Sequence, residues 1–371
     1  MRSMAIDRRS FLIGGGMAAL APRLADAQSC PQHLFVAACR DETGSYAAVA
    51  YAEGCGLGHR VTLPGRGHDL VQRPGTGECV VFARRPGTFA IAFHLDGAAA
   101  PVEFRTRADR HFYGHGAFSP DGRLLYTSEN DFDAARGLIG VRDATAGYRQ
   151  IGEFESGGLE PHDMCVLGDG RTLVAANGGI ETHPSSEREN LNIASMDPSL
   201  SYIDLATGDV LEVHRLSQSL RKLSIRHLAL AHDDTVFLGC QYEGPASDHP
   251  ALIGFHRRGK VLRLIETAGQ TYRAMQNYIG SVSADASGEF IAATSPRGGL
   301  ALIVDAASRR IISQTQLADV CGVARRHTGA SFLLASGSGD IGSWLPAAST
   351  GAALPTTHEN VAWDNHMVRI D

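Results

Sequence analysis

Helical periodicity is scarce in this 371-residue sequence, which argues against bundles and against folds that alternate strands with helices. Aromatic residues are few, at 7%. No basic tract stands out and the formal charge is −6, so the chain lacks the electrostatic footprint of a nucleic-acid binder. The one short apolar run near the N-terminus is too short to span a bilayer, and no other segment could cross one. There is no G-x-S-x-G elbow, no phosphate-binding loop and no C-x-x-C-H site, so hydrolase, nucleotide and haem readings have no motif behind them. What the chain does have is glycine, 42 residues of it, set between short apolar runs. That combination points to an all-β, turn-rich protein.

The N-terminus has the layout of an export signal. Arg8-Arg9 precedes Ser10-Phe11-Leu12, an apolar stretch runs from Phe11 to Ala21, and Ala25-Asp26-Ala27 suits a small-residue cleavage site. The paired arginines indicate the twin-arginine route, hence a periplasmic protein. Residues 1–27 are the expected leader, and 28–371 the mature, single domain, with no membrane span left after cleavage. That route carries folded proteins, often with a cofactor already loaded.

Seven stretches stack on one frame: "RGHDLVQRPGTGE", "YGHGAFSPDGR", "EPHDMCVLGDGR", "IRHLALAHDDT", "YIGSVSADASGE", "VCGVARRHTGA" and "WDNHMVRID". The first six each give an apolar strand, a Gly- or Asp-rich turn and a second apolar strand. In several repeats a further strand pair follows. Four strands per unit at such spacing is the signature of a β-propeller, here with seven blades. The seventh unit has only "NHMVRID" before the chain stops. Its missing strands are available in "HLFVAACRD", "YAAVAYAEG" and "HRVTLPG", so the last blade is expected to combine both termini and leave no free edge.

In a propeller the first strand of each blade lines the central channel. The residues opening these strands are His68, His115, His162, His227, Gly280, Gly322 and His366. Five imidazoles converging on one axis suit a transition metal, since neutral imidazole ligates zinc, copper, iron and nickel. The glycines beside them (Gly67, Gly114, Gly116) would let the backbone approach closely. The alternative is an architectural ring that bridges blades.

Loops joining second and third strands should share the face of the histidines. From them Arg84, Glu129, Asn177, Glu181, His183 and Arg297 are taken as a substrate or partner face, with Glu129, Asn177, Glu181 and Arg84 nearest the channel. Met164, two along from His162, should face the same side, and a thioether there would favour copper, although core packing also explains Met164 and Met367. Cys30, Cys55 and Cys79 fall together on the opposite face, and any two of them could pair in an oxidising compartment. Cys165, Cys240 and Cys321 read as small buried residues.

"RGHD", "ARRPGTF", "HFYGHGAFSPDGRLLYTSEND", "ANGGIETHP", "LNIASMDPSLSYID", "LSIRHLA", "YIGSV", "SPRGG" and "VCGVA" resemble, in order, the bacterial domain-of-unknown-function family 1513. The resemblance implies twin-arginine export, a propeller fold and a setting beside imelysin-type periplasmic proteins and a di-haem protein. It therefore implies iron before copper, and iron-uptake proteins as partners. It carries no catalytic residues. The reading is a monomeric, periplasmic, metal-binding propeller in iron acquisition or handling. The alternatives are an iron- or copper-dependent enzyme acting on a small polar substrate at the same face, and a non-catalytic interaction scaffold.

Overall fold

Each repeat of the sequence forms a four-stranded antiparallel sheet, and seven such sheets are present among the described residues. The structure is a computed structural model that describes residues 34–186, 188–267, 270–327, 329–345 and 356–371. The expected leader and Cys30 lie outside them. The first strands are Gly67–Gln72, Arg110–Phe118, Pro161–Val166, Leu223–Leu230, Ser281–Ala284, Val320–Arg325 and Val361–Ile370; they number blades 1 to 7. Each first strand packs on that of the next blade, and that of blade 7 packs on that of blade 1. The sheets thus close into a seven-bladed β-propeller around a channel, as the repeat frame requires. No helix of the described residues is long and apolar enough to cross a membrane.

Turn chemistry fixes the blade outlines. In blade 2, Gly122 takes φ 66° and donates its N–H to the Ser119 carbonyl at 2.8 Å, while the Ser119 hydroxyl donates to Asp121 at 2.6 Å. A left-handed residue there is what the Pro-Asp-Gly turn demands. Asp285 does the same work in blade 5, accepting from the N–H groups of Glu289 and Phe290.

The core lies between sheets rather than within one. Phe82, Phe104, Phe112, Phe118 and Tyr148 fill the seam of blades 1 and 2. Phe332, Leu334 and Trp344 pack against Ala292, Ala301 and Ile303 between blades 5 and 6. Each sheet buries both faces, which is why the second and third strands read as continuous apolar runs instead of alternating ones.

Closure of the ring uses both termini. Val361–Ile370 pairs antiparallel with Leu34–Asp41, from Val361 opposite Asp41 to Ile370 opposite Leu34. Tyr46–Ala52 and Gly56–Thr62 complete the blade. Trp363 and Met367 on the closing strand are 4% exposed and pack against Phe35, Tyr51 and Leu333. Deleting residues 363–371 removes these two side chains, each worth about 3 kcal/mol, and opens two strand edges. The truncated chain is expected to lose its cooperative thermal transition and become aggregation-prone, as monitored by circular dichroism and light scattering.

Candidate functional site

Irregularity in the inner strands sets the site. Six of the seven first strands carry a register shift against their neighbours, and blade 5 alone runs straight. The shifts fall between Gly67 and Leu70, Phe112 and Gly116, Pro161 and Asp163, Ile225 and His227, Val320 and Gly322, and Trp363 and Met367. Every one of the five histidines sits in or at the edge of a bulge. A bulge turns a side chain off the alternation of the strand, and here it turns the imidazoles onto the axis.

The five rings form one cluster. His68, His366, His227 and His162 follow one another with centroids 4.7, 5.0 and 5.1 Å apart, and His162 returns to His68 at 5.9 Å. His115 touches all four, at 4.7 to 5.8 Å. Two triads, His68–His115–His162 and His115–His227–His366, bring one nitrogen per ring within 4.8 Å of the others. His115, the residue between two glycines, belongs to both.

The ring is not a single layer, as the shared frame had suggested. His115 and His227 stand four residues before the one that opens the next turn, Ser119 or Ala231, whereas His68 and His162 stand five before Arg73 and Leu167. The four-back position of blades 1 and 3 is held by Asp69 and Asp163. The cluster is therefore two staggered levels with two carboxylates set among the imidazoles. Sequence reading passed over both aspartates, although "GHD" and "PHD" carry them directly after a histidine.

These partners orient the rings. His115 Nδ1 lies 2.9 Å from Asp69 and 3.5 Å from Asp163. His68 Nδ1 faces Asp364 at 3.4 Å, and His366 Nδ1 faces the Ser281 hydroxyl at 3.3 Å. Carboxylate-backed imidazoles with the other nitrogen turned inward are the usual outer shell of a metal site. His162 differs: Arg226 donates to its Nδ1 at 3.1 Å, which puts the ring proton of neutral His162 on Nε2. Burial holds all five imidazoles below their ordinary range, His366 down to about 4. Burial also raises Asp163 to about 6, with the His115 interaction opposing it. The imidazoles are thus neutral, the state that ligates. Inside the cluster His115 Nε2, His366 Nε2 and both nitrogens of His227 are buried with no hydrogen-bond partner.

The cluster plugs the channel between two cavities. One, about 250 Å³, opens on the face where the strands begin and is lined by Arg84, Arg85, Arg188, Arg226 and Arg297 above His68, His162 and His227. The other, about 720 Å³, opens on the opposite face and reaches Asp69, Asp163, Ser281, His115, His227 and His366.

The loop residues singled out from sequence separate into two groups. Arg84 and Arg297 line the smaller cavity. Glu129 and Asn177 do not face it. Glu129 is fully buried against Arg142 at 2.8 Å, and Arg142 lies over the Phe104 and Phe112 rings. Asn177 donates to the Ser156 carbonyl and to the Ser199 and Ser201 hydroxyls. Both sit at strand ends, but their side chains turn into the blades. Glu181 is half-buried and is not among the residues lining that cavity. His183 pairs with Asp133 at 3.3 Å and packs on Phe132. Met164 joins the apolar seam of blades 2 and 3 with Tyr126 and Ile139, and Met367 that of blades 6 and 7. The bulge at His162 cancels the alternation that would have put Met164 on its side. Cys55 is disulfide-bonded, whereas Cys79 is a buried free thiol, as are Cys39, Cys240 and Cys321, with Cys165 half-buried.

A propeller whose axis is filled by buried, neutral histidines is the class this geometry defines. Residues 61–370 match the family described as "Protein of unknown function (DUF1513)", and the chain belongs to that family. No curated protein matches it. Among solved structures, hydrazine synthase of Kuenenia stuttgartiensis is similar, with TM-score 0.61 and 14% identity over 82% of this chain and 90% of that one. As 1153 solved chains match, the likeness speaks for the propeller fold alone.

Gly114 explains why His115 has no bulky neighbour before it. Its φ is 110°, and a Cβ there would lie 2.6 Å from His68 Cδ2. Gly114→Ala should cost about 3 kcal/mol through strain and displacement of His68. Chemical denaturation is expected to show a lowered midpoint, with an unchanged slope if the fold is retained.

Proposed function

We propose that this protein is a metal-binding propeller whose channel histidines hold one transition-metal ion. The observation that carries the reading is the set of buried, unpartnered nitrogens on His115, His227 and His366. A buried imidazole nitrogen without a partner is costly, and a single cation would satisfy one nitrogen on each of the three rings together. His68, backed by Asp364, is the fourth donor. His162, whose Nδ1 accepts from Arg226, is the least apt of the five.

An all-imidazole donor set suits zinc, copper, iron or nickel. The methionines pack in apolar seams, which weakens copper. The setting implied by the family favours iron. On that basis we place the protein in the periplasm, exported by its twin-arginine leader, in iron acquisition or handling, with imelysin-type and di-haem proteins as partners.

When bound, the ion would supply Lewis-acid or redox chemistry. A catalytic reading has one observation in its favour: the smaller cavity leads from the outer face to His68, His162 and His227, so a small polar molecule could reach the cluster.

Protein purified without chelators, or reconstituted with iron(II), should carry about one equivalent of metal by mass spectrometry. His115→Ala with His227→Ala should lower that at least about tenfold, and His162→Ala should retain most of it. Absence of metal in the unmodified protein after reconstitution would overturn the reading and make the ring architectural.

A further inference from the structure

We infer that the arginine-lined cavity is a binding site for a small, multiply charged oxyanion. It deepens the picture of the channel but does not rest on a metal being there.

Five guanidinium groups from four blades converge on about 250 Å³: Arg84, Arg85, Arg188, Arg226 and Arg297. Two carboxylates pair with them and a third lies on the wall. Asp364 takes Arg84 at 3.2 Å and is shared with Arg66. Glu160 takes both Arg85 and Arg226. Glu243, on the wall, accepts from Asn190 at 3.3 Å. Arg188 and Arg297 have no carboxylate within ion-pair distance among the described residues. Arg188 donates only to the Arg85 carbonyl, at 3.0 Å, and Arg297 lies 4.3 Å over the Tyr278 ring. Arg226 Nε is buried and unpartnered.

Like charges gathered in a concave site repel one another, and the field they make is strongest inside it. Arg188 shows this. Although it reaches solvent, desolvation by the walls and then repulsion from Arg84, Arg85 and Arg66 lower its guanidinium to about 10. An anion with two or more charges relieves that repulsion, and planar guanidinium groups suit carboxylate and phosphate oxygens through paired N–H donors. Tyr113, Gln241 and Asn190 on the same wall add neutral polar groups. The volume is below the ~300–1,000 Å³ typical of sites for drug-sized ligands, which favours a di- or tricarboxylate or inorganic phosphate over a nucleotide. An anion held here would lie against His68 and His162.

Isothermal titration of chelator-treated protein with citrate, succinate and phosphate, with acetate as the singly charged control, tests this. Saturable binding of citrate, succinate or phosphate is expected, weakened by salt, with acetate much weaker. The arm that binds best tells a carboxylate ligand from a phosphate. Arg188→Gln with Arg297→Gln should weaken binding at least about tenfold at an unchanged melting temperature. The His115→Ala/His366→Ala protein, altered only at rings that do not line this cavity, should still bind, which separates this site from the metal. No saturable heat from any multiply charged probe, or equal affinity in the folded arginine variant, would overturn the proposal. So would binding that appears only in metal-loaded protein and ignores the arginine substitutions.

Discussion

Ring closure is the constraint on which everything else depends. A seven-bladed ring has an axis only when the last inner strand is in place, and that strand, Val361–Ile370, is held by Leu34–Asp41 from the far end of the sequence. The same strand brings His366 to the cluster and Asp364 to His68, Arg66 and Arg84. Fold and site therefore share their final step. The five imidazoles come together only once blade 7 has docked on blade 1, because His115 meets rings from blades 1, 3, 4 and 7 at once.

Much of this was legible in the sequence because strands and turns in a propeller are local. The Gly and Asp residues of the turns mark the hairpins, and the terminal "NHMVRID" could only be completed by the strands after His33. The five histidines were legible too, since each stands in the same short context before an apolar run. Their stagger was not. A bulge adds one residue to a strand and leaves no mark in the apolar pattern, so "GHD" and "YGHG" look equivalent although the first puts an aspartate where the second puts a histidine.

Glu129 and Asn177 show a different limit. Residues at strand ends can point across the channel mouth or sideways into the blade, and the choice depends on what the next strand leaves unfilled. Glu129 answers Arg142, which is buried among Phe104 and Phe112. Asn177 answers a serine-rich patch on its own blade. Such partners lie on the next strand of the same blade, 13 to 24 residues on, and carry no local signature. The loops that carry Arg84, Arg85, Arg188 and Arg297 were visible, whereas Arg226, on an inner strand beside His227, joins them only through the curvature of the ring.

The two cavities give the channel a polarity. On one side of the imidazoles the walls carry five guanidinium groups; on the other, Asp69, Asp163 and Ser281 stand beside the rings, and Arg325 and Arg369 are paired with Asp371. A molecule reaching the imidazoles therefore meets different neighbours by each mouth, guanidinium groups at the narrow one and carboxyl groups at the wide one. Because the imidazoles plug the channel, neither mouth opens onto the other, and the two faces of the molecule are not interchangeable.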